Sequence, residues 1–209
     1  MTLNPPGRKI LLHVCCAPCS GAIIEKMAAE GLEPTVFWSN SNICTAGENS
    51  RRLAVLEPYA ASFGVPVVVD RYDHAGWLEF IKDGLSREGT PPLSPEDCPE
   101  RGKRCALCFR YRLLRAARHA AEGGFDCLAT SLASSRWKNL EQVDEEGRSA
   151  VAEVSAQTGK PLVFWAQNWR KGGLQPRRNE IIREQGFYNQ TFCGCEFSLA
   201  KSRENQQKQ

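Results

Sequence analysis

The chain has 209 residues, 42% of them apolar, enough for one well-buried core and too few for two domains of ordinary size. Its 27 lysines and arginines against 24 aspartates and glutamates leave a net charge of +3, too mild for a dedicated nucleic-acid coat. The start MTLNPPGRKI lacks the features of a secretory leader and no apolar run approaches bilayer-spanning length, so a cytosolic protein with no membrane partner is expected.

In chain order, KILLHVC reads as a buried strand and SGAIIEKMAAEG as a helix with Ser20 near its cap and Gly31 at its stop. PTVFWSN is a second strand, SRRLAVLEPYAASFG mostly helix despite Pro58, VPVVVD a third strand and AGWLEFIKDG a short helix. Residues 85–104 form a loop rich in proline and charge. A helix follows at 105–122, then the strand DCLATSLAS, a helix at 140–157, the strand PLVFWAQ and a helix near 177–185. The tail after Phe197, SLAKSRENQQKQ, is polar and reads as mobile, so a single domain with its core at 9–197 is expected.

This alternation predicts an α/β fold with a mainly parallel five-stranded sheet and helices on both faces. Ligands bind at the carboxyl ends of the strands in such sheets, an edge that would gather Cys15, Cys16, Asn40, Asn42, Ser134, Ser135 and Asn168. No G-x-G-x-x-G, P-loop or serine-glycine-glycine phosphate loop stands there, so cysteine-rich loops take the place of a nucleotide cradle.

Ten cysteines in a reducing compartment point to metal binding or redox chemistry. They gather as Cys15, Cys16 and Cys19, as Cys105 and Cys108, and as Cys193 and Cys195, while Cys127 reads as a core residue and Cys44 and Cys98 as loop thiols. A helix starting beside Cys16 aims unsatisfied N–H groups and its positive dipole end at these sulfurs, which favours thiolate. Cys105 and Cys108, three apart in a helix's first turn, share one face. Cys15, Cys16, Cys105 and Cys108 would hold either a tetrahedral zinc or an iron–sulfur cubane, and spacing does not separate the two. In FCGCEF a disulfide across one glycine would be strained and easily reduced, which suits a redox relay; alternatively Cys193 and Cys195 are themselves metal ligands. Cys16-Ala-Pro-Cys19 also has the look of a thioredoxin-type C-x-P-C. A thiol–disulfide oxidoreductase and a zinc-stabilised nucleic-acid-binding module therefore stand as alternatives.

The segments LLHVCCAPCS, RCALCFRYRL, TSLASSRWKN, NWRKGG and YNQTFCGCEF, in that order, resemble the QueH-type epoxyqueuosine reductases from about Lys9 to Phe197. Asn40-Ser41-Asn42-Ile43-Cys44 and Asn168-Trp169-Arg170-Lys171 depart from the family's usual runs. The resemblance implies a HUP-like core and the reduction of epoxyqueuosine to queuosine at the wobble position of tRNA, without cobalamin. It implies, together with the two helix N-terminal settings, a [4Fe–4S] cluster on Cys15, Cys16, Cys105 and Cys108. Cys19 is then an alternate ligand, Cys193 and Cys195 are the redox pair, and the surplus cysteines leave room for an additional iron. A low-potential ferredoxin or flavodoxin fits as electron donor.

Tyr188, just before the C-G-C group, is the candidate acid, whereas His13 inside an apolar strand reads as a satisfied core histidine. The candidates for tRNA contact are Arg110, Arg112 and Arg115, the run Arg136, Trp137 and Lys138, and the run Trp169, Arg170 and Lys171. A splayed wobble base would stack on Trp137 or Trp169. The ordinary alternatives are a solvated helix face for the arginines and packing for the tryptophans.

Overall fold

A computed structural model describes residues 2–87 and 91–207. The strand β1 (Ile10–Val14) is buried along its whole length, as a strand covered by helices on both faces must be. It pairs in parallel with β2 (Thr35–Trp38) on one side, Leu11 opposite Thr35, and with β4 (Cys127–Thr130) on the other, Ile10 opposite Cys127. The edges are β3 (Val67–Val69) and β5 (Val163–Phe164), so the five-stranded sheet runs β3-β2-β1-β4-β5 and is parallel throughout. The α/β expectation is met.

This order fixes where a ligand can sit. The chain steps outward from β1 to β2 and β3, then returns to the other side of β1 as β4, so the crossovers reverse direction between β1 and β4. The carboxyl ends of those two strands open a crevice at that switch point. The helices α1 (Ala17–Ala29), α2 (Ala46–Ala61) and α6 (Leu174–Glu184) make one layer, with α1 packed on both others. The helix α4 (Lys103–Glu122) packs between α3 (His74–Ser86) and α5 (Leu140–Thr158) in the other.

Several boundaries differ from the sequence reading for identifiable reasons. Helix α1 begins at Ala17 with Cys16 as its cap and Pro18 in its first turn, where a fixed φ and a missing N–H cost nothing. Ser20 is therefore inside the helix, its hydroxyl donating back to the Cys16 carbonyl at 2.9 Å. Helix α2 starts earlier than its apolar pattern because the Thr45 hydroxyl accepts from the Glu48 N–H. The strand at 161–167 shrinks to two paired residues. The loop at 85–104 keeps no helix or strand between α3 and α4 in its described part; residues 88–90 lie outside the described residues.

The larger correction is the tail. Residues from Glu196 to Gln207 form a seventh helix, α7, instead of a mobile extension. It is held through its start: the Ser198 and Leu199 N–H groups donate to the Cys195 carbonyl, and Phe197 joins a small cluster of Trp77, Ile81, Leu85, Cys98 and Cys108 apart from the main core. No helix among the described residues is long and apolar enough to cross a membrane.

Candidate metal centre and active site

The crevice at the switch point is a cavity of about 660 Å³, within the size range of small-molecule sites. Three cysteine-bearing segments reach it. Cys15 and Cys16 follow β1 directly and Cys19 lies one helical turn further on; their sulfurs all lie within 4.8 Å of one another, close enough to share one metal ion. Cys105 and Cys108 enter from the first turns of α4, and Cys193 and Cys195 from the segment leading into α7.

Neither α1 nor α4 has a side-chain cap on its N-terminus. The positive dipole ends of both helices thus lie beside the sulfurs that line the cavity. The Arg101 N–H donates to Cys105 Sγ at 3.3 Å, and the Gln190 side-chain amide donates to Cys16 Sγ at 2.8 Å. Ser131, in the 3₁₀ turn after β4, receives the Cys15 N–H at 3.0 Å and turns its own hydroxyl to Cys15 Sγ at 3.4 Å.

The electrostatics divide the thiols. Hydrogen bonds from Cys16 and Cys19, aided by the charges of Lys138 and Arg112, outweigh burial and hold the Cys15 thiol well below its ordinary value. Cys16 is pushed up by sharing that charge, so the triad carries one favoured thiolate. Burial raises Cys108 to about 12 and Cys195 to about 11. Lys138 is desolvated, yet its attraction to Cys193, Cys15, Cys19 and Cys16 raises its pKa and keeps it an ammonium. An all-sulfur donor set selects a soft metal centre; among the described residues the sulfurs close enough to share one ion are those of Cys15, Cys16 and Cys19, while Cys105, Cys108, Cys193 and Cys195 line the same cavity outside that group. The three gathered cysteines could bind a metal.

The structure gathers some expected residues and separates others. Asn40, Asn42 and Ser135 line the cavity as expected for the strand ends; Ser134 and Asn168 do not. His13 is a satisfied core residue: Nε2 faces the Ser39 carbonyl, Nδ1 pairs with the Thr130 hydroxyl, and burial depresses its pKa to about 3. Tyr188 is turned away from the cavity, its hydroxyl donating to Glu48 at 3.1 Å and its ring lying under Arg51, so the acid role expected of it has no geometric support.

Trp137 is 80% exposed on the cavity rim, beside Lys138, whereas Trp169 is 1% exposed, packed edge-on against Trp165 with its N–H bound to the Thr130 carbonyl. Packing therefore accounts for Trp169, and no base can stack on it. Arg110 pairs with Glu153 and Glu146, and Arg115 clamps Asp70 at 2.5 and 2.7 Å, so those two arginines serve the fold. Arg112 is buried in the cavity wall against Asn40 and the Ser39 carbonyl. Arg170 donates to the Lys138 carbonyl at 2.9 Å and supports the rim, while Arg136 and Lys171 are exposed.

Sequence reasoning missed Arg101, Arg104, Gln190 and the α7 residues Lys201, Ser202 and Asn205, all of which line the cavity. The one available signal was the position of Gln190 just before the C-G-C group.

A family model described as epoxyqueuosine reductase QueH matches residues 10–201. The protein named epoxyqueuosine reductase QueH in Histophilus somni (strain 129Pt) is 38% identical over 191 residues, covering 91% of this chain and 72% of the relative. That of Haemophilus influenzae is 37% identical over 199 residues, covering 95% and 75%. A more distant one, from Thermotoga maritima, is 30% identical over 196 residues and covers 93% and 92%.

Proposed function

This chain belongs to the epoxyqueuosine reductase QueH family, an oxidoreductase family acting on tRNA, and from that premise we propose that it strips the epoxide oxygen from epoxyqueuosine at the wobble position. The change from epoxide to alkene takes up two electrons and two protons, and the oxygen leaves as water. The observation that carries this reading is the convergence of Cys15, Cys16, Cys19, Cys105, Cys108, Cys193 and Cys195 on one cavity.

Cys15, Cys16, Cys105 and Cys108 would hold a [4Fe–4S] cluster, with Cys19 as alternate ligand and the remaining thiols leaving room for an additional iron. Such a centre supplies low-potential electrons and a Lewis-acidic iron for the C–O bond. Arg112 and Lys138 offset the thiolate charge from the cavity wall. Cys193 and Cys195 are the redox pair: closing their disulfide releases two electrons and two protons, which is what the reaction consumes. Burial keeps Cys195 protonated until then. A low-potential ferredoxin or flavodoxin would reopen the bond, which its short span makes easy to reduce.

For tRNA, Trp137 offers an exposed face for an unstacked base, and Arg136 and Lys171 with Arg101, Arg178 and Lys201 offer charge to the flanking phosphates, while Lys138 faces the thiols. The thiols of Cys16 and Cys19 are both pushed up, Cys19 to about 11, which disfavours the thiol-exchange alternative, since the attacking species is the thiolate.

A serine series tests the division of labour. Cys15→Ser and Cys105→Ser should lose iron together with turnover of epoxyqueuosine tRNA, while Cys193→Ser should lose turnover and keep most of the iron. The reverse pattern would overturn the assignment.

A further inference from the structure

Gln190 is placed between two chemistries. Its side-chain N–H donates to Cys16 Sγ at 2.8 Å, and a cysteine sulfur that ligates a metal can only accept, which fixes the amide's orientation. Its other end, Oε1, is then a buried acceptor with no partner among the described residues, and Gln190 lines the cavity. Asn42, 2% exposed and on the same cavity wall, has an Oδ1 in the same condition. A buried acceptor left without a donor costs on the order of 1–3 kcal/mol, so two of them in one cavity call for a ligand that presents O–H or N–H groups.

The residue sits where it does because the chain between α6 and α7 crosses the cavity. Phe187 anchors one end of that crossing in the main core, edge-on to Tyr59. Arg52 holds the other end through the Phe192 and Cys193 carbonyls. Between these fixed points Asn189, Gln190, Thr191 and Phe192 line the cavity.

We propose that Gln190 joins the metal-holding sulfur to the substrate: its amide N–H braces Cys16, and its carbonyl, with that of Asn42, receives hydroxyl hydrogens of the modified nucleoside. This rests on the reading of Cys16 as an iron ligand. One side chain would then set both the electron density on a ligand sulfur and the place of the group to be reduced. An N–H donated to a ligand sulfur draws charge from it and raises the reduction potential of the centre.

The test uses the reconstituted enzyme and tRNA carrying epoxyqueuosine. Gln190→Met keeps the length of the side chain and removes both hydrogen-bonding ends. With iron content at the wild-type level, it should lower the midpoint potential of the metal centre and weaken tRNA binding by about tenfold, the loss of one buried hydrogen bond. A second variant, Gln190→Glu, removes the N–H donor and keeps an acceptor, so it should lower the potential while binding stays near wild type. Asn42→Leu should weaken binding and leave the potential unmoved. An iron-loaded Gln190→Met enzyme with unchanged potential and unchanged affinity overturns the proposal, as does a change in only one of the two. A wild-type protein that takes up no iron would instead overturn the reading of the metal centre, which separates the two failures.

Discussion

At the residue scale, three sulfurs within 4.8 Å of one another at the mouth of α1 could hold one metal ion. That Cys15, Cys16 and Cys19 cluster at the end of the first strand was legible from the sequence; that Cys19 sits beside Cys15 and Cys16 as a full member of the group was not, because successive strand residues point to opposite faces and only the turn into α1 brings the three sulfurs together. The roles of polar neighbours were not. Tyr188 precedes the C-G-C group in sequence, but the chain turns its ring outward to Glu48 and Arg51, and Gln190 two residues later takes the inward position. A Tyr188→Phe enzyme should accordingly keep wild-type turnover and iron; a large loss of turnover with iron intact would restore it as an acid. The tryptophans show the same limit: Trp137 and Trp169 look alike beside basic residues, and only the fold makes one a rim and the other a core residue. Trp169→Ala should destabilise the protein by about 3–5 kcal/mol, read as a fall in the denaturation midpoint, because it empties a fully buried site.

At the element scale, strands and most helices were legible because buried parallel strands are short apolar runs and the helices carry caps or periodic faces. Helix α7 was not, since its amphipathic pattern is weak and only Ser198 is buried. Its placement comes from tertiary ties: His74 bridges the Ser41 carbonyl and Glu196, and the Cys44 N–H donates to the Gly194 carbonyl at 2.8 Å. Gly194 has a φ of 143°, and a Cβ there would come within 3.0 Å of Asn42 and Ile43. Gly194→Ala should therefore displace the Cys193 and Cys195 pair from the cavity, cutting turnover steeply with little loss of iron. An alanine variant with normal turnover would show that this fit does not position the pair.

For the whole molecule, a net charge of +3 conceals a local bias. Arg110, Arg115 and Arg177 are consumed in ion pairs with the fold and Lys138 faces the thiols, while Arg101, Arg178 and Lys201 line the cavity and Trp137 marks its rim. If these cations meet phosphates, tRNA affinity should fall by on the order of tenfold or more between ~50 and ~200 mM salt, read by equilibrium binding; a flat response would rule out that role. What the gathered thiols hold is read by counting iron and acid-labile sulfide per chain after anaerobic purification and reconstitution, with the visible spectrum recorded before and after dithionite. About four of each and a brown absorption that bleaches on reduction are expected of a [4Fe–4S] protein, with extra iron lacking sulfide if a second site fills. A colourless protein with a single zinc, or with no metal, would contradict that assignment.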